Sequence, residues 1–159
     1  MEIEKVKGEF SVCKVEDYSQ VNLQSEYCFV GKTDAENSLV CLSEQKPSNI
    51  TECEDGWKAL HIKGVIEFDT VGVLSRISSL LAEKGIAIFV VSTFNTDYIF
   101  VKKEQDSSAV QALVNAGFRI LTGDPYGDYF LNRTLSDIME EYGEQRDEWK
   151  SVNGDDWSV

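Results

Sequence analysis

The chain has 159 residues, of which 42% are hydrophobic and 27% are charged, a composition typical of one globular domain or two small ones. Its 28 acidic residues against 15 basic ones give a net charge of −13. That charge argues against nucleic-acid and anionic-membrane partners, because both require a positively charged surface.

The first 60 residues carry the pattern of β-strands. Residues 10–15 alternate with a period of two, and residues 27–30 and 39–42 are β-rich runs. The polar segment 31–37 between these runs predicts a turn. Residues 46–56 contain a proline, polar residues and a glycine, and they predict a loop with one helical turn.

The same part of the chain holds all four cysteines, Cys13, Cys28, Cys41 and Cys53. No CxxC motif is present, which argues against a zinc ribbon or a thioredoxin-type site. Three of the four lie in apolar, strand-like runs, where a free cysteine behaves as a small hydrophobic residue. With no signal-peptide pattern at the N-terminus and only six residues in the longest apolar run, 86–91, we predict unpaired structural thiols in a cytoplasmic protein.

Residues 57–68 alternate over a long stretch that is interrupted at Gly64, and they predict a strand with a bend. The period then changes to three and four, which predicts an amphipathic helix that ends at Gly85 in the left-handed conformation. Asp69 or Thr70 is predicted to cap the start of this helix. Its apolar stripe consists of Val71, Leu74, Ile77, Leu80 and Leu81.

A strand over 86–94, a turn at 95–97 and a returning strand over 98–101 follow. A second helix is predicted from about 108 to 116, ended by Gly117, and a short strand over 118–121. The order from Trp57 to Leu121 is therefore β-α-β-β-α-β. This order predicts an α+β, ferredoxin-like fold, with a four-stranded antiparallel sheet and two helices on one face.

The sequence also repeats itself with a shift of 60 residues. Phe29-Val30 then falls on Phe89-Val90, and residues 39–41 fall on 99–101; with one further residue of shift, 56–60 fall on 117–121. We predict two tandem units, 1–56 and 57–131, of which the first is degenerate because residues 46–56 replace its second helix. A strand near 57–68 would close the first unit and open the second.

Residues 132–159 form a separate acidic helix and tail by prediction, and 134–159 hold eight acidic residues against two basic ones. Thr134 is a plausible N-cap. One alternative is a helix docked on the domain with a frayed tail after Arg146, and the other is a helix that packs on another subunit. The apolar stripe of this helix consists of Leu135, Ile138, Met139 and Tyr142.

Few residues suggest catalysis or metal binding. The single histidine, His61, lies in a predicted strand without companions at metal-ligand spacing. We therefore expect a packed or hydrogen-bonded residue there, and neither a metal nor another cofactor. If the protein were an enzyme, the carboxylates of Asp69 and Asp97 would be its candidate catalytic pair. We consider this the weakest of the functional hypotheses and expect no enzyme.

The turn before the first helix is a candidate ligand site. Free amides at a helix N-terminus carry partial positive charge and suit a carboxylate, and Gly72 lets a small molecule approach the backbone. The alternative is ordinary capping by Asp69, with Gly72 required for packing. The residues of this candidate site are Asp69, Thr70, Val71, Gly72, Val73 and Leu74.

A second candidate segment, residues 92–98, concentrates hydroxyls, an amide and a carboxylate at one strand end. Asn95, Thr96 and Asp97 suit an ammonium or guanidinium group. A hairpin turn stabilised by its own side-chain hydrogen bonds is the equal alternative.

These motifs resemble the ACT domain, and the resemblance runs from about Tyr27 to Glu104. It is closest to the small bacterial ACT proteins related to the cytosolic arginine sensors of animals and to the regulatory part of aspartate kinase. The second half carries most of the specificity. Its motifs are Trp57-Lys58-Ala59-Leu60 with Ile62, Gly64, Ile66 and Phe68, then Gly72-Val73-Leu74, Leu81-Ala82, Gly85-Ile86, Ile88-Phe89, Ser92-Thr93-Phe94 and Thr96-Asp97-Tyr98-Ile99.

The resemblance implies two ACT-like units lying side by side, with a small effector, often an amino acid, bound at an interface between units. On that pattern the turn 69–74 takes the carboxylate end, and residues 95–97 face the ligand or the partner unit. We therefore expect a non-catalytic, amino-acid-sensing regulatory module, with a homodimer as one form of assembly. The alternative is a protein-interaction or structural module without a small-molecule ligand, acting through its sheet edges or the stripe of the C-terminal helix.

Overall fold

A computed structural model describes residues 1–64 and 71–153. Residues 65–70, which include the predicted site residues Asp69 and Thr70, and residues 154–159 lie outside this description. The elements in chain order are β1 (Glu2–Lys5), β2 (Phe10–Val15), β3 (Cys28–Lys32), β4 (Asn37–Leu42), β5 (Ile50–Ile62), α1 (Val73–Glu83), β6 (Ile88–Ser92), β7 (Asp97–Lys102), α2 (Asp106–Asn115), β8 (Arg119–Leu121), α3 (Pro125–Leu131) and α4 (Leu135–Asn153).

The second half of the chain has the predicted order β5-α1-β6-β7-α2-β8. Strand β7 lies between β5 and β6 and is antiparallel to both. Helices α1 and α2 cover one face of this sheet, because their apolar stripes bury residues such as Ile77 and Leu113 against Leu60 and Ile99. The α+β, ferredoxin-like fold is thereby confirmed.

The N-terminal strand β1 is inserted into this sheet, which the sequence did not predict. Ile3 lies opposite Ile62 of β5 in antiparallel pairing and opposite Ile120 of β8 in parallel pairing. The strand order is therefore β6-β7-β5-β1-β8, with β1 between the two strands that are neighbours in a four-stranded ferredoxin-like sheet. Ile3 is completely buried in the main core, which accounts for the position of β1.

The first half repeats the second without α-helices. Its strands are antiparallel in the order β3-β4-β2-β5, the ferredoxin-like order. Strands β3 and β4 and the 3₁₀ turn Ser43–Gln45 each lie 60 residues before β6, β7 and the 3₁₀ turn Lys103–Gln105. The register repeats too, since Cys28 opposes Cys41 and Ile88 opposes Val101. The first half is therefore a degenerate copy of the second, and the bounds 1–56 and 57–131 stay a prediction.

Strand β5 joins the two units, because its first half pairs with β2 and its second half with β7 and β1. The loop predicted over 46–56 is wrong from Ile50 onwards, where β5 begins. Residues 51–55 are exposed, so the backbone ladder with β2, rather than an apolar pattern, holds them in a strand.

The two units pack together through aromatic side chains on the sheet face opposite α1 and α2. Phe10 of the first unit contacts Phe100 of the second, with ring centroids 5.4 Å apart, and Phe29 contacts Tyr98 at 5.0 Å. Phe10 and Phe100 are both completely buried. The seam between the units is therefore an apolar core in its own right.

Helices α3 and α4 follow the second unit. Helix α3 was not predicted; Asp124 caps it by accepting a hydrogen bond from the Tyr126 amide at 3.1 Å. At the start of α4, Thr134 Oγ1 accepts from the Asp137 amide at 3.1 Å, and Asp137 Oδ2 accepts from the Thr134 amide at 2.7 Å. This reciprocal pair confirms Thr134 as the capping residue.

Three side chains of the predicted stripe of α4 are exposed rather than docked on the domain. The helix continues to Asn153, so the predicted fraying after Arg146 is wrong. Ile138, Met139 and Tyr142 are 46%, 62% and 57% exposed, which contradicts the docked alternative for these three side chains. No helix in the described part of the chain is long and apolar enough to span a membrane.

Candidate functional site

The predicted ligand turn ends in a glycine with a left-handed backbone. Gly72 has φ +88° and is the N-cap of α1, whereas the predicted capping residues Asp69 and Thr70 lie outside the described residues. A Cβ atom at Gly72 would meet no atom of the described chain within 4 Å. Among the described residues nothing packs against this position, so the left-handed backbone conformation is what favours glycine at residue 72.

The remaining described residues of this turn divide into exposed and packed ones. Val71 is 92% exposed and precedes the helix, so its assignment to the apolar stripe is wrong. Val73 and Leu74 are partly buried and pack against the main core. They anchor the helix start through their side chains, which leaves their backbone amides as the groups able to meet a ligand.

These amides lie ahead of the first hydrogen bond within the helix. The Arg76 amide donates to the Gly72 carbonyl at 2.9 Å, whereas the amides of Val73, Leu74 and Ser75 precede that bond. Within residues 1–64 and 71–153, no side chain accepts a hydrogen bond from them. Such amides carry partial positive charge, and the arrangement suits a carboxylate.

The second candidate segment lies at the same end of the sheet, because β7 is antiparallel to β5 and begins where β5 ends. Thr96 is buried, and its Oγ1 donates to the Ile62 carbonyl at 2.9 Å. Asp97 accepts a hydrogen bond from Ser92 Oγ, whereas Asn95 is exposed. Thr96 and Asp97 thus stabilise the hairpin themselves, and Asn95 is the member of the predicted trio that faces solvent.

His61 is a hydrogen-bonded and stacked residue, as predicted. Its Nε2 lies 2.8 Å from Glu4 Oε2, and its ring stacks on Tyr98 with centroids 5.2 Å apart. No group of three or more His, Cys, Asp or Glu side chains within the described ranges is arranged to hold a metal ion.

A cavity of about 450 Å³ lies at the seam between the units, a volume within the range of small-molecule sites. Its lining combines Tyr27 of the first unit with His61 and Thr122 of the second. Burial, aided by the nearby Tyr98, raises the pKa of Tyr27 above its usual value. None of the predicted site residues in the described ranges lines this cavity.

The seam cavity could not be predicted because its walls come from distant parts of the sequence. The insertion of β1 brings Glu4 and Lys5 beside His61. The carboxylates of the cavity lining, together with the ammonium group of Lys7, offer opposite charges to a small zwitterion. The acidic side chains of the lining are Glu4, Glu26 and Glu44.

Comparison with known proteins gives a family match for the second half of the chain. Residues 52–115, from β5 to the end of α2, match the family model of the ACT domain. This match confirms the resemblance that was drawn from the motifs. No curated protein matches the sequence significantly.

Solved structures support the same fold. A protein from Agobacterium tumefaciens is 26% identical, with a TM-score of 0.68, and the match covers 77% of this chain and 93% of that one. A protein of unknown function from Vibrio cholerae, described as a possible transport protein, is 24% identical, with a TM-score of 0.54 and coverage of 70% and 85%. The ligand-free regulatory subunit of aspartate kinase from Thermus thermophilus is 12% identical, with a TM-score of 0.51 and coverage of 72% and 97%.

Proposed function

We propose that this chain is a non-catalytic regulatory ACT module that binds a small effector, an L-amino acid, at the end of the sheet where α1 begins. The observation that carries the proposal is the start of α1, where three amides precede the first helical hydrogen bond beside a left-handed glycine that no other described residue packs against. The ACT-domain match over 52–115 supports the regulatory class. The four free cysteines fit the reducing cytoplasm in which we place the protein.

In the proposed complex, the effector's carboxylate accepts hydrogen bonds from the amides of Val73, Leu74 and Ser75. Asn95 is exposed at the same end of the sheet, and its side-chain oxygen accepts from the effector's ammonium group. Asp69 and Thr70 complete the predicted turn, and Thr96 and Asp97 hold the hairpin that carries Asn95.

The two-unit organisation suggests how binding is transmitted. We keep the division into 1–56, 57–131 and 132–159. Strand β5 crosses the boundary between the first two units, and the aromatic seam packs these units together. An effector that binds one arrangement of the units more tightly than another shifts their populations by no more than that difference in affinity, which is about 1–3 kcal/mol in typical coupled systems. The output goes to a partner protein or to self-assembly.

A thermal-shift series with the twenty L-amino acids tests ligand binding. An effector present at a hundred times its Kd stabilises the folded state by about 2.7 kcal/mol, which is a readily measured increase in Tm. At least one amino acid should raise Tm in a saturable manner, and its D-enantiomer should do so less. Unchanged Tm values with all twenty would contradict the proposal.

The site itself is tested by a carboxylate placed at the helix start. Ser75 is exposed in the first turn of α1, and Ser75→Glu brings a competing acceptor to the free amides. We expect roughly five- to tenfold weaker effector binding with no loss of stability in the ligand-free chain. Ser79→Glu adds the same charge one turn later on the same helix, where Ser79 is also exposed, and should leave binding nearly unchanged; equal effects of the two variants would exclude this site.

The exposed apolar side chains of α3 and α4 favour a second candidate function, a protein-interaction module. Tyr126, Tyr129 and Phe130 of α3 are 75%, 56% and 53% exposed, and Ile138, Met139 and Tyr142 of α4 are similarly exposed. Such a surface is typical of association with a second copy or another protein. On this second candidate function, replacing Ile138, Met139 and Tyr142 by Gln should abolish self-association in sedimentation experiments, and no amino acid should raise the Tm of the unchanged chain.

A further inference from the structure

All four cysteines lie on one face of the sheet of the first unit. Cys13 on β2 opposes Cys53 on β5, and Cys28 on β3 opposes Cys41 on β4. Cys41 also opposes Ser11, two residues before Cys13. Since side chains two residues apart on a strand point to the same face, both cysteine pairs share that face, which corresponds to the helix-covered face of the second unit.

The two pairs differ in the contact between their thiols. The Sγ atoms of Cys13 and Cys53 are 3.1 Å apart, whereas no hydrogen bond joins the thiols of Cys28 and Cys41 in the described part of the chain. Directly opposed residues in antiparallel strands have Cα atoms about 4.5–5.5 Å apart, within the range that a disulfide spans. Bond formation between Cys13 and Cys53 therefore requires little movement of the backbone.

The Cys13–Cys53 pair has one exposed and one buried member. Cys53 is exposed and Cys13 is buried, and a surface cavity of about 380 Å³ reaches both. Burial, together with the neighbouring Cys53, raises the pKa of Cys13 far above its usual value. Cys53 is therefore the member that a solvent oxidant meets first, and Cys13 is the protected member of the reduced pair.

We propose that Cys13 and Cys53 form a site of oxidative modification, at which a hydroperoxide converts the pair into a disulfide between β2 and β5. In the first step, the Cys53 sulfur attacks a peroxide oxygen. The O–O bond breaks, Cys53 becomes a sulfenic acid, and hydrogen peroxide releases water once the thiol proton has been transferred. In the second step, the Cys13 sulfur attacks the Cys53 sulfur, the S–O bond breaks, and a second water leaves with the Cys13 proton. Two thiols lose two electrons and two protons in total, and one peroxide is reduced to two waters.

The test uses the full-length reduced chain and hydrogen peroxide, followed by alkylation under denaturing conditions and mass spectrometry. We expect a mass lower by about 2 Da before alkylation, two alkylated cysteines in place of four, and a non-reduced peptide linking Cys13 to Cys53. Dithiothreitol should reverse all three changes. A linkage between Cys28 and Cys41, a linkage between chains, or only irreversible sulfinic acid at Cys53 would overturn the proposal.

Matched variants locate the modification. Cys53→Ser replaces an exposed side chain, so the fold should persist, and it should abolish the 2 Da loss. The double variant Cys28→Ser with Cys41→Ser should retain that loss in full. Persistence of the loss in Cys53→Ser would overturn the proposal, and because the wild-type peptide map is decisive by itself, a folding defect in the double variant would not obscure the result.

Discussion

The buried hydroxyl of Thr96 donates to the carbonyl of Ile62 at 2.9 Å, and so ties the β6–β7 hairpin to the last residue of β5. The chain continues from Ile62 towards α1, which begins at Val73. This hydrogen bond therefore holds the hairpin that carries Asn95 against the end of β5.

Replacing Thr96 by Val should lower the free energy of unfolding by about 1–3 kcal/mol, because the Ile62 carbonyl loses its side-chain donor in a buried setting. Chemical denaturation of the two proteins measures the difference. Thr96→Ser keeps the hydroxyl and should retain most of the stability. An unchanged free energy in Thr96→Val would show that this bond does not hold the hairpin to β5.

The inserted strand β1 is fastened to α2 by an ion pair between Lys5 Nζ and Asp106 Oδ2, 2.7 Å apart. Asp106 is buried, and its Oδ1 has no hydrogen-bond partner in the described chain. Lys5→Met leaves this carboxylate without its counter-charge and should lower the free energy of unfolding by about 1.5–3 kcal/mol. Lys7→Met removes the same charge at an exposed position and should change stability by less than about 0.5 kcal/mol; equal effects would refute the role assigned to the pair.

The carboxyl group of Asp55 makes stability depend on pH in the acid range. Hydrogen bonds from Ser11, then Lys46, lower its pKa from 3.8 to about 2. A carboxyl group whose pKa is lower in the folded than in the unfolded state stabilises the fold fully at pH values above its unfolded-state pKa. This stabilisation is lost as the pH falls towards its folded-state pKa. We therefore expect the contribution of Asp55 to the free energy of unfolding to disappear between about pH 4 and pH 2. In Asp55→Asn, the free energy of unfolding should depend less on pH over that interval.

Carboxyl titration by NMR checks the cause of the Asp55 shift. Ser11→Ala removes the hydroxyl that lowers the pKa most, so the Asp55 pKa should rise towards 3.8. Asp17, whose pKa is lowered mainly by Ser19, serves as the internal reference and should not move. A low Asp55 pKa that survives in Ser11→Ala would contradict this assignment.

The second unit could be predicted because its signals are local. The apolar period predicts α1 from residues that are one or two helical turns apart. Gly85 with φ +70° and Gly117 with φ +97° end the helices that immediately precede them. The 60-residue repeat was visible because equivalent strand positions hold equivalent apolar side chains. The helix period and the terminating glycines depend on neighbours that are close in sequence, and the repeat depends on comparing two such local patterns.

The elements that were missed depend on contacts between distant residues. Strand β1 is only four residues long, and its position comes from Ile3 packing between Ile62 and Ile120. The first part of β5 is polar and is held by backbone pairing with β2. The seam cavity unites Glu4, Tyr27 and Thr122, and no sequence period brings these residues together.

The most direct test of the effector site is a ¹⁵N–¹H NMR titration of the full-length chain with each of the twenty L-amino acids. One of them should shift the backbone amides of Val73, Leu74 and Ser75, together with that of Asn95, in a saturable manner. Spectra unchanged by all twenty, or shifts confined to Tyr27, His61 and Thr122 around the seam cavity, would contradict binding at the start of α1.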